Sequence, residues 1–448
     1  MIRMQRLVLF VLMLAVGGTA VGQEVHEESR GLFGTRQLQA TVPMGREATL
    51  EIRAASTLRG VVEISVGDSD NVHLAYYKRA KTTSRSRAVD YIDLISVQLE
   101  QTPVAARLEM RAPNPAPWEA DEAGLVHVVL TIPRNVAVNV DAAYFDISAV
   151  GPFSEFIDNS SLGRIDVSDV SGRVDIATAN QKVSLAHLTG DVSATTSNAS
   201  LLARDINCSD AQGSFRNEGG DIIIDGLIGE LNVRTSYGRI DIDDLTPAGT
   251  KNYIRGSSGP ILVNLTRLTD GQLILANRYD DIEIVVPTDI SAVMALSVDE
   301  EGKIEANNFN FKTELVQTNR LNLVAGDGGG LISGSIRGKG NIYVRGSDEE
   351  FQPRFVRDTG GHIHFIDGGG FSRGEGGFPR GSVLLSAGLD SVRSRGNLGQ
   401  SGRAGRLPCR GVSGNSRSGR RAFRPELGGD DYSGSHRDSL SPGRQQRR

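Results

Sequence analysis

A clause of nine residues, repeated from Gly163 onward, leaves this chain few ways to fold. The sequence runs GRIDVSDVS, GRVDIATAN, QKVSLAHLT, GDVSATTSN and ASLLARDIN. After a three-residue insertion, CSD, it resumes as AQGSFRNEG, GDIIIDGLI, GELNVRTSY and GRIDIDDLT, ending at Thr246. The third position is usually apolar: Ile165, Val174, Val183, Val192, Leu201, Ile222, Leu231, Ile240. So is the fifth: Val167, Ile176, Leu185, Ala194, Phe215, Ile224, Val233, Ile242. Two apolar residues two apart share one face of a short strand, and Gly, Asn or Ser at the joints supplies turns.

The eighth position uncovers a longer period. It reads Val170, Ala179, Leu188, Ser197, Ile206, Glu218, Leu227, Ser236, Leu245, so that large apolar residues alternate with small or polar ones. Two kinds of nonamer therefore alternate, and the true repeat is about 18 residues. The fold this predicts is an all-β solenoid of either hand, with two short strands per turn. One strand ends in a third core-facing residue and the other in a polar turn such as TAN, TSN or TSY. TKNYIRGSS, GPILVNLTR, GQLILANRY and DDIEIVVPT extend the pattern with gaps to about Thr288, giving about six turns, enough to bury a continuous core.

The flanks alternate like longer, half-buried strands, among them ATLEIRAA, GVVEISVGD, NVHLAYYKRA and YIDLISVQLEQ. We read 31–150 as an N-terminal β-section, 151–288 as the repeats and 289–366 as a C-terminal β-section. Such sections cap a stack whose open ends would otherwise be unpaired edges. With 53 glycines and 5% aromatic residues, the composition suits stacked strands and tight turns.

The G-x-[IV]-x-[IV] units, the phrase TIPRNVAVNV and the returning VVPTDISAV resemble the bacterial putative-adhesin domain of unknown function built from β-strand repeats. The resemblance covers roughly residues 40–366. It implies a signal peptide, an extracytoplasmic location and an all-β fold, and brings no catalytic residues. Gln181 and Ala199 depart from the glycine expected at those joints.

The ends differ from the body. Met1 to Arg6 carries two arginines, LVLFVLMLAV follows, and Ala20 and Gly22 occupy the small-residue positions of a cleavage site. This predicts a signal peptide over 1–22, a mature start at Gln23, and a secreted, periplasmic or outer-surface protein without a membrane span. From Gly368 to Arg448 the chain is Gly-, Ser- and Arg-rich, with fifteen arginines and no lysine, and predicts a disordered tail. The reading frame of that tail is an open alternative. Cys208 and Cys409 are too few for a disulfide framework.

Chemistry is sought where positions of one kind stack from turn to turn. A calcium roll needs G-G-x-G-x-D units, which these are not. A polysaccharide lyase or hydrolase needs clustered carboxylates, yet outward position 4 reads Asp166, Ser184, Leu202, Ile223, Asp241, with the acids apart. Outward position 6 of the other strand reads Ala177, Thr195, Arg216, Arg234, Arg255. Three stacked guanidinium forks suit carboxylate, sulfate or phosphate, unless they pair with Asp225, Asp243 or Glu230. Leu202 and Ile223 predict a covered outward patch. His362 and His364 form a His-x-His pair on one side of a strand, with Asp367 just beyond; such a pair holds zinc when a third ligand arrives, and otherwise reads as the outward face of a surface strand. No G-x-S-x-G, H-E-x-x-H, phosphate loop or Cys-x-x-Cys is present.

The reading is a binding or envelope-structural protein of the putative adhesin type, without catalysis, cofactor or metal. Arg216, Arg234 and Arg255 are its candidate ligand-binding residues. Its partner would be an anionic glycan, lipopolysaccharide or an envelope protein, and no nucleic acid is expected. The alternatives are a polysaccharide-active β-helix enzyme and an envelope sensor that docks a protein through Leu202 and Ile223.

Overall fold

The computed structural model describes residues 24–347 apart from 46, 47, 103, 120, 161, 269 and 300, together with the backbone of 355–357 and 363–365. The predicted signal peptide, the Arg-rich tail, Cys409, His362 and the side chain of His364 lie outside the described residues. The all-β expectation holds: 27 strands join one hydrogen-bonded sheet, Phe355–Arg357 and Ile363–Phe365 form a separate antiparallel pair, and one helix is present among the described residues. No described helix is long and apolar enough to cross a membrane.

Two parallel ladders run through the repeats. In the first, Ile147, Ile165, Val183, Leu201, Ile222, Ile240, Ile261 and Ile282 stand side by side on successive rungs. In the second, Val138, Phe156, Val174, Val192, Gly213 and Leu231 do the same. Residue numbers step by 18 from Ile165 to Val183 to Leu201, then by 21 to Ile222; Cys208 keeps its place beside Gly229, and Ser209, Asp210 and Ala211 bulge out, one residue later than the CSD insertion read from the sequence. The apolar residues of both columns are buried in one continuous core. Gly213 breaks its column for a packing reason: a Cβ there would lie 3.0 Å from the ring of Phe215, which fills that space instead.

The two joints between ladders are built differently. After the first ladder the chain turns through left-handed backbone at Asp169, His187, Asp205, Gly226 and Asp244. Asp, His and Gly are among the residues that tolerate this region. The turn drives the eighth-position residues Val170, Leu188, Ile206, Leu227 and Leu245 into the core, as their spacing predicts. After the second ladder the seventh position is polar yet buried: Thr178, Thr196, Asn217, Thr235 and Asn277. Each donates to the carbonyl of the residue that opens its own turn, respectively Gly163, Gln181, Ala199, Gly220 and Gly259. The polar turns therefore start with a buried residue that ties the end of each turn to its beginning.

Antiparallel pairs close both ends. At the N-terminal side Asn71–Lys81 pairs with Leu38–Pro43 and Ala123–Ile132, and Ser96–Gln101 pairs with Ala105–Arg111. The segment YIDLISVQLEQ does not form one strand as predicted: Arg85–Asp93 is helical and the strand begins at Ser96. Tertiary contacts override the alternation. Ala88, Tyr91 and Ile92 pack on Val25, Phe33 and Ala80, while buried Lys78 donates to the carbonyls of Ile92 (3.1 Å) and Ile95 (3.0 Å) at the helix C-terminus.

At the far side the chain order breaks. Gly330–Ile336 lies between Gln272–Asn277 and Ala292–Ser297, parallel to both. Ile342–Gly346 lies likewise between Ile282–Val286 and Ile304–Asn307. Ala292–Ser297 is backed by the antiparallel hairpin of Phe311–Gln317 and Arg320–Ala325. A late rung is thus interposed between two earlier ones.

Candidate anion-binding face

Residues of alternating orientation on the second ladder set up the candidate site. Thr195, Arg216, Arg234, Arg255 and Ala276 occupy one column in register. Each arginine follows a buried residue, respectively Phe215, Val233 and Ile254, and all three are exposed. Neighbouring strands lie about 4.8 Å apart, so like charges recur on successive rungs. Among the described residues no carboxylate forms an ion pair with any of the three. Arg255 instead sets its guanidinium 4.9 Å from the ring centroid of Tyr253, two residues before it on the same face.

The acidic residues that could have paired with them stand elsewhere. Asp225 is on the first ladder, in register between Arg204 and Asp243, and Glu230 stands beside Gln212. Asp243 accepts from Asn264 at 2.7 Å, and burial followed by the charge of Asp225 raises its pKa. These two adjacent carboxylates correct the expectation that no acids meet. The count along position 4 misses them because they stand at position 6 of the same strands, where the same count would have found them. Asp225 is only 8% exposed and nearby Asp241 is also buried, with Arg239 at 3.7 Å from Asp241.

Ile223 lies in register between Leu202 and Asp241 and is 1% exposed, while Leu202 is half-buried. The outward patch is thus covered within the chain at Ile223. Cys208 is buried and free, and burial pushes its thiol up to about 11, which makes it a poor nucleophile. At the left-handed joint His187 sits between two carboxylates, Nδ1 at 3.5 Å from Asp169 and Nε2 at 3.4 Å from Asp205.

Sequence reasoning also passed over two exposed tyrosines in the polar turns, Tyr237 and Tyr279. Each stands at the last position of its nonamer, where Asn180, Asn198 and Ser258 stand in others. Their signal was a large ring where small polar residues are the rule.

No family model matches the chain, and no curated protein matches it. Several solved structures are similar to it, three of which follow. A putative cell adhesion protein from Clostridium sporogenes has 8% identity and a TM-score of 0.18, over 70% of this chain and 99% of that one. A putative lipid binding protein from Parabacteroides distasonis has 12% identity and a TM-score of 0.32, over 69% and 96%. A putative adhesin from Bacteroides fragilis has 9% identity and a TM-score of 0.23, over 69% and 97%.

Proposed function

We propose that this chain is an extracytoplasmic β-solenoid of the putative adhesin type that binds an anionic polymer along one face, without bond-breaking chemistry. The register steps of 18 and 21 residues support the solenoid, and the N-terminal basic–apolar–small pattern supports the location. The observation that carries the binding reading is the column Arg216, Arg234, Arg255: three exposed guanidinium groups on consecutive rungs with no carboxylate partner among the described residues. Stacked like charges repel, and a ligand carrying regularly spaced carboxylate, sulfate or phosphate groups relieves that repulsion while accepting forked hydrogen bonds.

The glycan-cleaving alternative has one observation in its favour, the adjacent Asp225 and Asp243. A pair of carboxylates with one raised pKa is what acid–base cleavage uses. Here, however, Asp225 is buried and Asp243 is engaged by Asn264, so binding is the stronger reading.

The test is binding of the full chain to anionic and neutral glycans and to lipopolysaccharide at two salt concentrations. The Arg216→Ala, Arg234→Ala, Arg255→Ala triple variant is measured beside it. We expect salt-sensitive binding to an anionic polymer that the triple variant loses. Binding that the variant keeps, or none at all, would sink the reading.

A further inference from the structure

We propose that the arginine column continues round the turn into an aromatic column and that together they form a track for a linear acidic polysaccharide. The chain of sugars would run across the strands, one residue pair to every two rungs. This rests on the binding reading above and deepens it, since a row of arginines alone does not tell a sugar acid from a phosphate.

The turns stack by backbone hydrogen bonds: Tyr237 N to Glu218 O at 3.0 Å, Ser258 N to Ser236 O at 3.0 Å, and Tyr279 N to Ser257 O at 3.0 Å. Tyr237, Ser258 and Tyr279 therefore hold one position on three consecutive turns. Tyr237 is 70% exposed and Tyr279 58% exposed. The small side chain of Ser258 leaves an opening between two rings that are two rungs, or about 10 Å, apart. That is the order of length of a disaccharide, whereas stacked bases of a nucleic acid recur at much shorter intervals.

Each of the three turns also carries a guanidinium close to this column in the chain. Arg234 lies three residues before Tyr237, Arg255 three before Ser258, and Arg278 directly before Tyr279, with its Cζ 5.8 Å from that ring centroid. On the last turn the column position itself is Ala276, so the charge has moved from strand to turn. The ring of Tyr279 is held from one side. Gly338, at φ +105°, passes so close that a Cβ there would lie 3.1 Å from the ring's Cδ1. A ring fixed by backbone and exposed elsewhere offers a flat apolar platform at small entropic cost. Sugar rings present C–H faces to such platforms, and their carboxylates or sulfates match the arginine forks.

The experiment titrates the full chain with polygalacturonate, polyphosphate, oligo-deoxythymidine and neutral dextran, using calorimetry. Three proteins are compared: the native chain, a Tyr237→Ala, Tyr279→Ala double variant, and the arginine triple variant. Thermal unfolding confirms that each is folded. The track predicts that polygalacturonate binds, that the double variant weakens it by about tenfold with polyphosphate unaffected, and that the triple variant loses both. Polygalacturonate binding that the double variant leaves unchanged overturns the track but keeps the arginine strip. Polyphosphate or oligo-deoxythymidine binding as tightly as polygalacturonate does the same. If none of the polyanions binds, both readings fall.

Discussion

Asp158 stands in register between Val140 and Ile176, where neighbouring rungs carry aliphatic side chains, and it is 0% exposed. Ser160 donates to one carboxyl oxygen at 2.5 Å, and the other has no hydrogen-bond partner among the described residues. Burial raises its pKa to about 7, opposed by the Ser160 hydrogen bonds and helped by the charge of Asp141. The unfolded chain releases this proton near pH 4, so between about pH 4 and 7 the folded state binds the extra proton. Its stabilising contribution is therefore full below about pH 4, falls as pH rises through 7, and is flat above. The loss amounts to at most about 4 kcal/mol. Asp158→Asn should flatten this dependence and raise the urea midpoint at pH 8 above that of the native chain. An unchanged slope between pH 5 and 8 would show that the carboxyl is ionised in the fold. Nothing in the sequence announces this residue, because it breaks the pattern once and repetition is the only signal a repeat offers. The arginine column was legible for the opposite reason: it recurs.

At the scale of the strand, the inward positions were legible because period 2 nested in a longer period leaves few faces to choose from. The joints were not. A buried threonine and a solvated one look alike in sequence, and the helix Arg85–Asp93 owes its place to Lys78 and to the apolar cluster beneath it. Asn252, on an inward strand position, shows how much a buried polar side chain can hold. It is buried in the second ladder, accepts from Leu231 N at 3.1 Å, and donates to Ala248 O and Gln272 O at 2.9 Å each. Asn252→Ala strands an amide and two carbonyls in the core, and should cost about 2–4 kcal/mol in chemical denaturation. Thr235→Val, which keeps the shape but loses the 3.3 Å bond to Gly220 O and the 3.2 Å bond from Gly238 N, should cost about 1–2 kcal/mol. Equal losses for the two would mean that volume, and not hydrogen bonding, holds these positions.

Across the whole molecule, antiparallel pairs at the ends enclose a parallel middle, and the interposed strands Gly330–Ile336 and Ile342–Gly346 have partners on both sides. Hydrogen exchange should find them as slow as Gln272–Asn277, although they come late in the chain. The largely exposed strand Phe311–Gln317, on the outer side of the hairpin, should exchange first. Faster exchange over 330–346 than over 311–317 would contradict the pairing. Their place was invisible in the sequence, since strand adjacency is non-local and GGLISGSIRGKGNIYVRG reads as one more pair of strands after its predecessors.

The interposed rung also acts as a keystone in time. Ala292–Ser297 and Ile304–Asn307 are synthesised before the strands that will separate them from Gln272–Asn277 and Ile282–Val286. A chain that zips up steadily from its N-terminal end would shut the slot too early. The free edges of Gln272–Asn277 and Ile282–Val286 therefore reach their final partners only once residues 330–346 have been made.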